Sequence, residues 1–361
     1  MTGPGTGLSR GDILPDVSLR MQDGQPVLFG ARCGFGVPLV FWMPDGAPDP
    51  LTATMLAGQF EAFVSAGARI FIVLRGETLL DSLPADLRPL GLIDTQGALR
   101  AALGPSGGGP SGGGLSGSAL VVLEADGRVL MAGKPGALGA ALAACRAVFE
   151  RTRPITVRAQ APALMIPDVL EPALCAALMD YWQTGDKMVN AVASPGRGAA
   201  VQSTGTKRRT DVLIEDPGLA AALRTRLVAR VLPAVEKAFC FKIAEYQTPR
   251  VGCYDAADAG AFQRHRDNMT PYTRLRRFAM TLNLNTGQYE GGALWFPEFG
   301  RQLYEPEAGG AVVFSCSLLH EALPVIAGRR FGVFIFFFDA DAAAQDRMES
   351  EDPEQSGVLD S

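Results

Sequence analysis

Histidine is scarce: His265 and His320 are the only two in 361 residues, so any site needing two imidazoles must use both. Cysteine is present but unpatterned. Cys33, Cys145, Cys175, Cys240, Cys253 and Cys316 form no C-x-x-C pair. Their scatter argues for reduced, mostly buried thiols and against a disulfide framework. A basic excess is missing too, with 33 Lys and Arg against 38 Asp and Glu, which argues against nucleic-acid binding. The longest apolar runs, such as VFIFFF at 333–338, are far too short to span a bilayer. The amino-terminal MTGPGTGLSRGD has no charged-then-apolar signal pattern. A cytoplasmic protein without membrane contact is the expectation.

The 47% of apolar residues can fill real cores, and the length suits two domains. The first half alternates strands and helices. VPLVFWMP (37–44) and ARIFIVL (68–74) read as strands, and 52–67 as a helix closed by glycine. SALVVLEADGRVLMAG (118–133) reads as a hairpin turned at Asp126-Gly127, followed by a helix over 135–152. The glycine-rich stretch 104–118 lacks Gly-Lys-Ser/Thr and precedes a strand, so it reads as a loop and not a phosphate cradle. The segments GDILPDVSLRMQDGQPV (11–27), PLVFWMP (38–44), GLIDTQGALRAALG (91–104) and LVVLEADGRVL (120–130) resemble the peroxiredoxin-like branch of the thioredoxin-like fold. That resemblance implies an α/β thioredoxin-like domain over 1–155. Where such a protein carries its reactive cysteine, about seven residues past Pro44, this chain has Pro50, Leu51 and Thr52. Thiolate chemistry needs the thiol, so the domain is expected to be non-peroxidatic and to serve a protein partner. Cys33 precedes the strand and is the residue a thiol-dependent redox reading would need.

Composition changes at RTRPITVRAQAP (151–162), a boundary. Helices are expected over 167–185 and over 216–240, the latter with Asp216 as N-cap and Pro217 in its first turn. Short strands follow at 277–285, 291–297, 308–320 and 329–339, the texture of a jelly roll spanning 160–340. The acidic tail 341–361 is expected to be disordered.

FQRHRDN (262–268) holds the first histidine. On a strand, His265 and Asp267 share one face, with Arg264 and Arg266 on the other. His320 ends AVVFSCSLLH, and counting by twos puts it on the apolar face of Val312, Phe314, Cys316 and Leu318. Two imidazoles and a carboxylate form the facial triad that holds Fe(II) and leaves positions open for co-substrate and oxygen.

The frame around these residues resembles the 2-oxoglutarate and Fe(II)-dependent dioxygenases of the prolyl-4-hydroxylase-like branch. The resemblance covers 165–340, most closely 246–339. It rests on GCYDAADAGAFQRHRDN, RRFAMTLNLN, GGALWFP, PEAGGAVVF and HEALPVIAGRR (320–330). It implies a double-stranded β-helix with flanking helices, and Fe(II) held by His265, Asp267 and His320. It further implies 2-oxoglutarate bound at Arg330, ten positions past His320, with Tyr254 in contact. Dioxygen would be consumed, with ascorbate as a reductant. The substrate would be peptidyl proline or a small amino-acid-like metabolite. Thr281 stands where relatives often have a tyrosine, and Leu294 where they have a threonine. Arg329 should point outward. The basic runs 264–277 and 207–216 read as solvated charge or as substrate contacts. A non-catalytic metal- or partner-binding protein is the alternative reading.

Overall fold

The computed structural model describes residues 8–30, 36–103, 118–154, 156–189, 191–192, 201–202 and 207–351. Cys33 and residues 104–117 of the glycine-rich stretch lie outside the described residues, and so do the expectations placed on them. The chain divides into two compact units, Met1–Thr156 and Val157–Ser361, within the proline-bearing segment 151–162.

The first unit runs β1 (Val17–Met21), β2 (Pro26–Phe29), β3 (Leu39–Met43), α1 (Pro50–Ser65), β4 (Arg69–Leu74), β5 (Gly91–Ile93), α2 (Ala98–Leu103), β6 (Ala119–Leu123), β7 (Val129–Gly133) and α3 (Leu138–Arg151). Among the described residues, seven strands form one mixed sheet in the order β2-β1-β5-β4-β3-β6-β7. Its centre, β3-β4-β5, is parallel, while β6 and β7 run antiparallel. Buried β3 alternates strictly. Val40 and Trp42 face a core shared with α1 and α3, and Phe41 and Met43 face another with Leu99 and Leu103 of α2. Asp49 caps α1 by accepting the Thr52 backbone N–H at 2.9 Å.

The second unit opens with β8 (Ala163–Ile166), α4 (Pro172–Thr184), β9 (Met188–Val189) and a short hairpin of β10 (Ala191–Val192) and β11 (Val201–Gln202). Then come β12 (Lys207–Arg208), β13 (Thr210–Leu213), α5 (Pro217–Arg226), α6 (Leu232–Phe239), β14 (Glu245–Tyr246), β15 (Arg250–Asp255) and β16 (Ala261–His265). The last stretch holds β17 (Phe278–Asn283), β18 (Tyr289–Gly291), β19 (Leu294–Trp295), β20 (Leu303–Tyr304), β21 (Ala311–Ser315), β22 (His320–Ala322), β23 (Val325–Phe338) and α7 (Ala340–Glu351). Two antiparallel sheets result. The larger follows β8-β21-β17-β23-β15-β13-β9, and the smaller β12-β16-β22-β19-β20. Val212, Val251, Leu282, Val333 and Ile335 of the larger sheet pack outward on the helices, around Leu178, Leu223 and Val231. The inward face meets the smaller sheet through Ala279, Val312 and Phe314 against Leu294, Phe296 and Tyr304. This facing pair is the jelly-roll arrangement.

Four expectations need correction. The helix over 216–240 is interrupted by a π-turn at Leu227–Val231. Pro233 has no N–H to donate to the Ala229 carbonyl, and the regular ladder cannot pass it. The strand over 291–297 is broken by Gly291 and Gly292, at φ 78° and 72°, so its halves join different sheets. The strand over 308–320 also ends early, at Ser315, and the chain crosses to the smaller sheet before His320. Lastly, the acidic tail begins as helix α7. The Asp339 carboxylate accepts the Ala342 N–H at 2.7 Å, and Ala342 and Ala343 are buried beside Leu275 and Phe338. Among the described residues, no helix is long and apolar enough to cross a membrane.

Candidate metal centre

The register of the smaller sheet brings the two histidines together. His265, at the end of β16, lies directly opposite His320, at the start of β22, and their ring centroids are 4.3 Å apart. Asp267 sits in the turn beyond β16 and not on the strand itself. Its backbone N–H donates to the Cys316 carbonyl at 2.9 Å, which pins that turn. The Asp267 carboxylate then reaches His265 Nε2 at 3.3 Å through Oδ1 and His320 Nε2 at 3.4 Å through Oδ2.

The hydrogen bonds settle which imidazole nitrogens are available. His265 Nδ1 contacts the Gln263 carbonyl at 2.7 Å, and His320 Nδ1 contacts the Leu318 carbonyl at 3.0 Å. A carbonyl can only accept, so each Nδ1 carries the proton and each Nε2 keeps its lone pair. One ligand atom from each of the three residues lies within 4.8 Å of the other two. Burial pushes the His320 pKa below its ordinary value, which keeps it neutral. Burial opposes the charged form of Asp267, but His320, His265 and Arg276 outweigh it and hold the carboxyl down to about 2. Two neutral nitrogen donors and one ionised carboxylate fit a divalent first-row metal. His265 is braced by Phe262, whose ring stacks on it at 3.6 Å.

His265, Asp267, His320, Tyr254 and Arg330 all line one pocket between the sheets, together with Thr281 and Leu294. Arg330 is buried on β23, where it faces Tyr254 in register. Its Nη2 donates to Asn283 Oδ1 at 3.0 Å, while its Nε is enclosed without a partner. The glycine pair of the GGALWFP segment makes room for it. A Cβ on Gly292 would come within 3.0 Å of Arg330 Cδ. Arg329 is exposed, as its parity predicts. Arg264 pairs with Glu321 and Arg266 with Glu298.

Of the run 207–209, Arg208 is exposed, while Lys207 and Arg209 are buried. Lys207, on β12 of the smaller sheet, and Arg209 and Asp211, at and on β13 of the larger, are buried between the two sheets. Asp211 accepts from Lys207 Nζ at 2.7 Å and from Arg209 Nε and Nη2 at 2.6 and 3.0 Å. Arg209 Nη1 donates to the Tyr254 hydroxyl at 3.2 Å, and the guanidinium lies 3.7 Å over the Phe334 ring. Arg209 thus lines the pocket, and Tyr254 has cationic groups 5.5 and 5.4 Å from its ring centre, Arg209 and Arg330. The local sequence carries no signal for this, because Lys207 and Asp211 belong to β12 and β13, strands of different sheets.

Burial, with help from Arg209, pushes the Lys207 ammonium down to about 7, against the pull of Asp211. In the unfolded chain the same group titrates near 10.4, so unfolding takes up a proton between those values and stability rises with pH across that window. We expect Lys207→Met to flatten this rise, measured as the difference in urea midpoint between pH 7 and pH 9. An unchanged slope would place the titrating group elsewhere.

Residues 249–338 match the model of the 2OG-Fe(II) oxygenase superfamily. The chain is similar to a PKHD-type hydroxylase of Shewanella baltica strain OS155, with 28% identity over 137 residues covering 36% of this chain. The PKHD-type hydroxylase Shew185_0721 of strain OS185 matches equally. The match spans 60% of the length of these curated relatives. Among solved structures, a Trichoplax adhaerens prolyl hydroxylase in complex with a hypoxia inducible factor oxygen degradation domain peptide fragment aligns with a TM-score of 0.42 and 16% identity, covering 51% of this chain and 86% of that one. A Pseudomonas putida prolyl-4-hydroxylase aligns with a TM-score of 0.37 and 17% identity, covering 50% and 93%.

Proposed function

We propose that this protein is an Fe(II)- and 2-oxoglutarate-dependent dioxygenase that hydroxylates a peptidyl proline or a small amino-acid-like metabolite. The observation that carries the reading is the convergence of His265 Nε2, Asp267 and His320 Nε2 beside a buried Arg330 whose Nε lacks a partner. Fe(II) and dioxygen would supply the oxidising power, with 2-oxoglutarate losing carbon dioxide to become succinate and one oxygen atom entering a substrate C–H bond. The chain's own part is positioning. His265, Asp267 and His320 hold the metal, and the two Nδ1–H bonds to carbonyls fix the ring planes. Arg330 is the cation for the distal carboxylate of 2-oxoglutarate, and Asn283 orients its guanidinium from one side. Tyr254 sits close enough to Arg330 to bound the same end of the pocket. The apolar walls from Phe314, Phe334 and Leu294 limit water beside the metal. Ascorbate would serve as a reductant.

The test is succinate formation that requires both Fe(II) and 2-oxoglutarate. With Arg330→Ala we expect the 2-oxoglutarate KM to rise by about 30-fold or more, since one partner of a buried charge pair is removed. Metal affinity should stay unchanged, and iron loss in that variant would instead make Arg330 a structural residue.

For the first unit we propose a thioredoxin-like domain of the peroxiredoxin-like branch that engages a protein partner and has no peroxidase activity. The mixed sheet with parallel β3-β4-β5 and antiparallel β6 and β7 supports this reading.

A further inference from the structure

The run Leu282-Asn283-Leu284-Asn285 leaves β17 with its two leucines in the helix-side core and its two asparagines buried beside Arg330. Hydrogen bonding fixes how each side-chain amide is turned. Asn283 Nδ2 lies 3.2 Å from the Pro306 carbonyl, which can only accept, so Oδ1 is the atom facing Arg330 Nη2 at 3.0 Å. The same Nδ2 lies 3.1 Å from both the Thr286 and the Tyr289 hydroxyl oxygens. Asn285 Nδ2 donates to the Arg329 carbonyl at 2.8 Å, and its Oδ1 accepts the Phe331 N–H at 2.9 Å.

These contacts hold Arg330 at both ends. β17 stops at Asn283, opposite Gly332, and two residues on the Asn285 side chain replaces the strand ladder to β23. It does so on the two peptide groups that flank Arg330. From the other side β15 holds the same point, with Tyr254 opposite Arg330. Asn283 then fixes the tip of the side chain, and Tyr289 stands behind it. A Cβ on Gly292 would lie 3.0 Å from Arg330 Cδ and 3.7 Å from Tyr289 Cε2.

An arginine on its long stem can follow a carboxylate over several positions, and a pinned one cannot. Arg330 lines the same pocket as His265, Asp267 and His320, so pinning it sets one span between cation and metal ligands. The choice of an amide matters as well. A carboxylate at 283 would orient the guanidinium but cancel its charge, whereas Asn283 orients it and leaves Nε open.

We propose that Asn283, backed by Tyr289 and Asn285, is a positioning residue that makes the site selective for the chain length of its 2-oxo diacid. This rests on the dioxygenase reading and adds what separates 2-oxoglutarate from its six-carbon homologue.

The full chain, loaded with Zn(II) in place of Fe(II), reads binding without turnover. It would be titrated calorimetrically with 2-oxoglutarate, with 2-oxoadipate, and with 2-oxopentanoate, which has no distal carboxylate. Wild type should prefer 2-oxoglutarate to 2-oxoadipate by about 10-fold or more. Asn283→Ala should bind 2-oxoglutarate about 10-fold more weakly and the other two acids within about threefold of wild type, so the preference collapses. Asn283→Asp should bind 2-oxoglutarate more weakly still, although it is the closer match in shape. Tyr289→Phe removes one support of Asn283 and should shift the preference by about threefold. It decides the matter if the Asn283 variants do not fold. An equal loss for all three acids in Asn283→Ala would make the residue structural and overturn the proposal. An intact preference in Asn283→Ala or Tyr289→Phe would overturn it too, as would wild-type affinity in Asn283→Asp. Fe(II)-dependent succinate formation separates the two levels. Succinate formed with the preference untouched by these substitutions refutes the positioning role alone. No succinate and no binding of any 2-oxo acid refutes the dioxygenase reading and the proposal with it.

Discussion

Asp267→Ala is expected to abolish metal-dependent 2-oxoglutarate turnover and to weaken Fe(II) binding by more than about a hundredfold. Loss of a group that merely supports a metal ligand typically costs 10–100-fold, so loss of the only carboxylate ligand must exceed that. His265→Ala and His320→Ala should match it in activity but not in stability. His265 is half-buried, and its side chain leans on Phe262 at the edge of the pocket. Without metal, its removal should change stability by about 1 kcal/mol or less. Asp267 is different, because it is the carboxylate that draws both Arg250 and Arg276. Taking it away leaves both cations without that counter-charge, so metal-free Asp267→Ala should unfold at clearly lower urea than metal-free His265→Ala. Metal titration by calorimetry and urea melts of the metal-free proteins measure the two effects separately. Full iron affinity in Asp267→Ala would refute the ligand assignment, and equal melts would refute the role given to the carboxylate in charge balance.

Much of this centre was legible because histidine is rare. With His265 and His320 alone available, the H-x-D pattern had a single histidine partner, and the structure brings the three together. The route by which His320 arrives was not legible. Counting by twos from Val312 assumed one continuous strand, whereas the chain turns after Ser315 and re-enters in the other sheet. Both routes end inside, since the register that pairs His265 with His320 is set by the smaller sheet. The inward placement of Arg330 was legible from its parity with Gly332. The buried cations were not. In KRRTDVLIED charge density reads as surface, and nothing local says that Lys207 and Arg209 are buried while Arg208 is exposed. Their placement depends on pairing across strands far apart in sequence: Asp211 opposite Gly252, and Gly252 opposite Gly332. Those facing glycines leave a trough that no propensity scale reveals. Similarly, the π-turn before Pro233 follows from one missing N–H inside an otherwise continuous helical pattern.

That trough carries the second large effect. A Cβ on Gly252 would fall 2.6 Å from Asp211 Oδ1 and 2.9 Å from Arg209 Cδ, so the glycine is what admits the ion cluster to the sheet. Asp211 is the carboxylate that both Lys207 and Arg209 grip, and it is fully buried. Burial raises the cost of its charge, yet Arg209 and Lys207 together keep its carboxyl below the usual range. Asp211→Ala should therefore destabilise the protein by about 3–5 kcal/mol, the range for breaking a buried pair by removing one partner. The two cations left behind respond differently. Lys207 already titrates at about 7, so it can shed its proton and escape part of the penalty. Arg209 cannot, because a guanidinium stays charged at any accessible pH. The stability lost in Asp211→Ala should thus be recovered in part by adding Arg209→Met, and much less by adding Lys207→Met. Urea melts of the three proteins at pH 8 make the comparison. If Asp211→Ala costs less than about 1 kcal/mol, the cluster is a surface-like pair despite its burial. Equal rescue by the two second substitutions would show instead that Arg209 finds water when its partner is lost. Arg209 is also the donor to the Tyr254 hydroxyl. The destabilised protein should for that reason bind 2-oxoglutarate more weakly while keeping its metal, the reverse of the pattern expected for Asp267→Ala.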